Sequence, residues 1–132
     1  MAWIRLLRKG QLPPRYQGAS AVLGNDALVM GGWLYSIKPL APLWILSRAN
    51  TTAPVWTPAI GISMSSAVCL TTTTVGGFVL VFAGEYQYPD GSLYFSNSLV
   101  KYTTVGSVRV NYTEPWPAAR SLHAAAALGN VL

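Results

Sequence analysis

Enzymatic chemistry needs a nucleophile, a proton carrier or a set of metal ligands, and this 132-residue chain holds few residues that supply one. It has a single histidine, His123, and a single cysteine, Cys69. One imidazole is a poor metal site, and one thiol cannot close an intrachain disulfide. Cys69 stands in "SAVCL", among apolar neighbours that favour a buried structural thiol. The four acids are Asp26, Glu85, Asp90 and Glu114. Asp26 and Asp90 lie in "GND" and "PDGS", where a short carboxylate fixes turn geometry. No serine, histidine and acid share a catalytic context. The pair Gly31-Gly32 lacks the Lys and Ser/Thr that a phosphate-cradling loop requires. The sequence therefore predicts no catalytic residue, no metal site and no cofactor.

Recognition is better supplied. Residues 85–95, "EYQYPDGSLYF", are rich in tyrosine, which offers large contact area at little entropy cost. Glu85, Tyr86, Tyr88 and Tyr94 are the candidate partner-binding residues of an inter-strand loop, and a protein is the partner expected there. Nucleic acid is not. The net charge is +5, but Arg5, Arg8, Lys9 and Arg15 cluster at one end while Lys38, Arg48, Lys101, Arg109 and Arg120 are scattered singly, which makes no continuous basic footprint. Asn50-Thr51-Thr52 and Asn111-Tyr112-Thr113 are N-glycosylation sequons. With a charged fraction of only 10% they tilt the expectation towards an extracellular or cell-surface parent protein. The opening "MAWIRLLRKG" tilts it back, because Arg5, Arg8 and Lys9 interrupt the apolar run of a signal peptide.

The elements that would carry these residues are written in a repeat. "PPRYQGASAVLGN" at 13–25 returns as "AARSLHAAAALGN" at 118–130, a spacing of 105 that aligns Arg15 with Arg120. "ALVMGGW" at 27–33 lines up with "VLVFAGE" at 79–85, an offset of 52. Two units of some fifty residues and the start of a third account for both spacings. The expected divisions are an N-terminal segment 1–12, a first unit 13–58, a second unit 59–117 and an incomplete third at 118–132.

Each unit reads as short strands. In the first, "ASAVL", the turn "GND" and "ALVM" precede Gly31-Gly32, then a loop with Pro39 and Pro42, "LWILS", and a segment with Trp56 closed by Pro58. The second runs "SSAVCL", the hairpin "TTTTVGG", "FVLVFAG", the tyrosine-rich loop, "SLVKYTT" and "SVRVNYT", closing on Pro115, Trp116 and Pro117. "FVLVF" shows no polar alternation, so both its faces should be buried. The opening strands "ASAV", "SSAV" and "AAAA" are built from small residues, as strands converging on a common axis require. Two competing readings exist: a helix at 123–128, from the alanine run, and a bilayer-spanning segment at 60–84, which is uncharged and long enough. Thr71 to Thr74 and Gly76-Gly77 argue for two β-segments and a turn instead.

On these residues the chain resembles kelch-repeat proteins, within the wider group of galactose-oxidase-like propellers. The resemblance rests on Pro14-Arg15, Gly31-Gly32 and Trp56 in the first unit, Ala83-Gly84 and Trp116 in the second, and Arg120 with His123 in the third. It departs from the pattern at Ala83, which replaces a glycine, and in the missing arginine before "SSAV". The resemblance implies an all-β fold: part of a kelch-type β-propeller, with two four-stranded antiparallel blades and the first hairpin of a third. It implies a non-enzymatic scaffold for protein–protein interaction through inter-strand loops. The alternative within the same group is a fragment of a copper-radical oxidase-like enzyme whose histidines and tyrosines lie elsewhere. Two blades cannot close a propeller, which needs about four to eight. The sequence is accordingly expected to be a fragment or truncated reading frame that self-associates when isolated.

Overall fold

The computed structural model describes residues 12–33, 43–48, 51, 53–59, 67–88, 90–111 and 117–128. They form an all-β protein of two antiparallel sheets, arranged as partial propeller blades. The first sheet runs in sequence order through β1 (Ala19–Leu23), β2 (Asp26–Met30), β3 (Leu43–Ser47) and β4 (Val55–Pro58). Gly24 and Asn25 make the two-residue turn between β1 and β2, with Gly24 at φ 61. The second sheet contains β5 (Ala67–Val68), β6 (Thr71–Val75), β7 (Phe78–Gln87), β8 (Leu93–Thr103) and β9 (Gly106–Val110). Its order is β5-β7-β8-β9, and β6 also pairs with β7, so the innermost row is split in two.

The split corrects the sequence reading of the second unit. "SSAVCL" was expected to be one strand with the threonines as its hairpin, but the threonines are themselves the strand equivalent to "ASAVL". Thr is β-branched and suits a pleated, half-buried surface, and the turn falls on Gly76-Gly77. The break between β5 and β6 comes at Cys69, which adopts φ 53. Gln17 at φ 57 and Leu122 at φ 51 hold the same left-handed conformation at offsets of 52 and 53 residues. The repeat read from the letters is thus repeated in backbone geometry. The bridge Tyr16↔Trp33 in the first sheet likewise recurs as Val68↔Glu85 in the second.

"FVLVF" is buried on both faces, as expected. Val79 and Val81 face the first sheet, joining Leu28, Met30, Leu43, Leu70 and Tyr102 in the main core. Leu80 points the other way, into a smaller cluster with Val75 and Leu99. The junction of the two sheets is stitched by hydroxyls: Thr72 Oγ1 donates to the Ser20 carbonyl at 2.6 Å and Thr74 Oγ1 to the Val22 carbonyl at 2.7 Å. A backbone bond from Cys69 N to Gln17 O, 3.0 Å, continues the seam.

Residues 117–128 lie over the far face of the second sheet. They form neither the helix nor a named strand, apart from a bridge at Leu128. Residues 67–87 carry three strands where the spanning alternative required a helix, and no helix among the described residues is long and apolar enough to cross a membrane. Asn50, Glu114 and Trp116, and the loop with Pro39 and Pro42, lie outside the described residues.

Candidate functional site

The glycine pair Gly31-Gly32 makes a sharp corner just after β2. At Gly32, φ is 98 and an added Cβ would sit 2.9 Å from the Tyr16 carbonyl oxygen, so both backbone angle and close approach demand glycine. Arg15 secures this corner, donating from Nη1 to the Gly31 carbonyl at 2.8 Å and from Nε to Pro13 O at 3.5 Å. Its Nη2 is buried without a partner, and burial lowers its pKa from the ordinary arginine value. Arg120 repeats part of this motif, with Nε bonded to Ala118 O at 2.9 Å. Trp56 is a partly buried residue of β4 paired with Leu46.

In the second sheet, Ala83 takes φ 58 where the first sheet has Gly31 at φ 61, and Gly84 takes φ 110. The β7–β8 register shifts between Phe82 and Gly84. The backbone of Arg120 wedges in at that shift: Gly84 N donates to Arg120 O at 3.1 Å, and Arg120 N donates to Ser96 O at 3.0 Å. Beyond the wedge β7 and β8 continue as a paired ribbon through Gln87 and Leu93. The tyrosine-rich stretch is therefore mostly a hairpin, not the long loop expected. Its turn is closed by Tyr88 N to Ser92 O at 2.8 Å and by Asp90 Oδ1, which accepts from Ser92 N at 2.9 Å and Ser92 Oγ at 2.7 Å. These bonds from Ser92 hold the Asp90 pKa below the usual carboxylate value.

Three of the four predicted contact residues come together. Tyr86 and Tyr94 are cross-strand partners stacked at 5.0 Å with planes 16° apart, and Tyr88 tilts onto Tyr94 at 4.5 Å. Aromatic cross-strand pairs stabilise sheets by roughly 0.2–1 kcal/mol each, which helps the ribbon to persist as a hairpin. Partial burial, then the neighbouring Tyr86 and Tyr88, push the Tyr94 phenol pKa up, with Arg109 opposing. Tyr88 remains 50% exposed. Glu85 is separated from this group: it pairs with Phe95, one residue out of phase with Tyr86, so it belongs to the opposite face. Leu93 and Phe95, both more than half exposed, share that opposite face and were not singled out from the sequence.

His123 sits at a second feature that the sequence did not reveal. Its Nε2 is 2.9 Å from Thr71 Oγ1, and its ring meets Phe82 edge-on at 5.3 Å. Burial, then the charge of Arg120, lowers its pKa from the ordinary histidine value. Beside it lies a cavity of about 350 Å³ walled by Leu80, Phe82 and Leu99 on one side and Ala124 to Ala126 on the other. Two polar atoms of its lining residues, His123 Nδ1 and Thr73 Oγ1, are buried without partners. Cys69 is buried, and burial and Glu85 raise its thiol pKa, which opposes thiolate chemistry. Among the described residues no three His, Cys, Asp or Glu side chains are grouped to hold a metal ion. Asn111 is exposed just after β9.

The sheets and their repeated junctions define the class: an all-β, propeller-like fold. Among solved structures, that of YjhT matches with a TM-score of 0.62 at 18% identity, over 84% of this chain and 32% of that one. At this identity the likeness concerns the fold, and the matched span is about a third of that chain's length. No family model matches the sequence, and no curated protein does.

Proposed function

We propose that the chain is a kelch-type propeller segment acting as a non-enzymatic scaffold, with the tyrosine face of the β7–β8 hairpin as its contact surface for a protein partner. The observation that carries this reading is the stack of Tyr86, Tyr94 and Tyr88 on a paired β-ribbon. A loop must be ordered before it binds, which costs affinity; rings already held by strand pairing avoid most of that cost. The repeat corners built on Gly31-Gly32 and Ala83-Gly84 support the kelch assignment.

The test uses the folded chain as bait for a library of displayed random peptides, alongside a Tyr88→Ser/Tyr94→Ser variant. Tyr88 is 50% and Tyr94 37% exposed, and both lie beyond the core, so the substitutions can loosen the hairpin tip but should leave the two sheets intact, as circular dichroism can check. Peptides enriched on the parent and lost on the variant are the expected result. Equal enrichment on both proteins would refute the assignment. An extracellular parent is part of the same reading: secretion from a glycosylating host should add glycan mass that Asn111→Gln reduces.

A further inference from the structure

The offset of 52 residues is also an offset in space, and it gives the two outer faces of the molecule a relation to each other. Between the sheets, β6 lies against β1, and Val81 of β7 completes the layer over Leu28 and Met30. The first sheet's own counterparts of Thr74 and Val81 are Val22 and Val29. They lie on its opposite, open face, where Val22 is 59% exposed and Val29 is only partly covered. The second sheet's counterparts of Leu28 and Met30 are Leu80 and Phe82, which look onto the cavity. The outer faces are thus the two halves of the junction already present inside the molecule.

We propose that the open face of the first sheet docks onto the far face of the second sheet of another copy of this chain. In doing so β1 of the incoming copy takes the place held by residues 117–128. That segment is a close counterpart of β1: Leu122 matches Gln17 in backbone conformation, and Arg120 repeats the Nε bond of Arg15. It fills the place incompletely. The cavity remains beneath it, and Ala124 to Ala126 are exposed above. An incoming sheet brings β2 as well as β1, so Val29 can enter the space that the segment leaves open. Such contacts are head-to-tail, and they form a closed ring if the rotation closes.

Sedimentation velocity on the full chain, from micromolar to hundreds of micromolar, reads this directly. Concentration-dependent association is expected. Val22→Asp should weaken it about tenfold or more by placing a charge in an apolar contact, and Ser20→Lys on the same exposed face should act similarly. Both should keep the parent's circular dichroism. A synthetic peptide of residues 12–25, "LPPRYQGASAVLGN", should compete for the far face and shift the chain towards monomer, while its scrambled version should not. A monomer throughout the range overturns the proposal. So does association indifferent to both variants and to the peptide. Neither docking face includes the tyrosine stack, so these outcomes are independent of the scaffold reading.

Discussion

The molecule contains one kind of junction in two states of completion. Between the sheets, Leu70 closes the inner end, Thr72 and Thr74 bond across, and Val79, Val81 and Tyr102 fill the layer behind them. Between the second sheet and residues 117–128, His123 stands where Leu70 stands, Ala125 and Ala127 stand for the threonines, and about 350 Å³ is left open. The contrast separates two jobs that one strand performs. Laying an inner strand on a sheet takes a left-handed kink and backbone bonding to the sheet, one bond in the first junction and two in the second. Sealing the junction takes branched and aromatic side chains from the strands that follow, which only the first one has among the described residues. Side-chain filling, rather than strand placement, makes the difference.

The largest single loss is expected at one of two equivalent leucines. Leu28 is 1% exposed in the sealed junction, and Leu28→Ala should cost about 4 kcal/mol, because the hole it leaves adds to the lost transfer energy. Leu80 is 9% exposed and already borders the cavity. Leu80→Ala should cost only about 2 kcal/mol, the transfer share alone. Urea unfolding of both variants measures this, and equal losses would break the comparison.

The corners give the next largest loss. Gly32→Ala should destabilise by roughly 2–3 kcal/mol, since φ 98 and a 2.9 Å approach to a backbone oxygen leave nothing flexible to yield. Ala83→Gly, at the equivalent corner's first position, should be close to neutral. Relief of a strained φ of 58, about 1–2 kcal/mol, is offset by the loss of a buried methyl and by added freedom in the unfolded chain. Thermal midpoints that fall alike for both variants would show that the two corners do not differ in this way.

Much of the architecture could be read in the letters because repeats report themselves as offsets. The spacing of 52, the glycine pair, the two-residue turns and the unalternating "FVLVF" each state a backbone or burial requirement in residue type. Where reading failed, the deciding feature had no such type. The break between β5 and β6 is a left-handed cysteine, which resembles any other residue in the sequence, so "SSAVCL" was read as continuous. The tyrosine stretch carried Pro and Gly and read as a loop, although cross-strand stacking of Tyr86 on Tyr94 extends the strands through it. That Glu85 lies on the face opposite the tyrosines could not be read, because side-chain alternation can be counted only once the strand is known. The cavity was illegible, being a property of what the alanines fail to fill.

The smallest effect expected is also the one that isolates His123. Its folded pKa is depressed, so the unfolded chain binds a proton more readily, and stability from this group is complete above the ordinary histidine value near 6.5. It is lost as pH falls from there through the lower folded value. Replacing the imidazole with the residue that the sealed junction uses, His123→Leu, should therefore remove that part of the acid-side slope. The same change puts an apolar group against Phe82 and the cavity wall, at the expense of the Thr71 bond. Near neutral pH these two consequences are of similar size, about 1 kcal/mol each, and should nearly cancel. Stability of parent and variant measured by urea unfolding at several pH values should then run together at neutrality and separate below it, with the parent falling faster. Parallel curves throughout would mean that protonation of His123 is not what distinguishes the open junction from the sealed one.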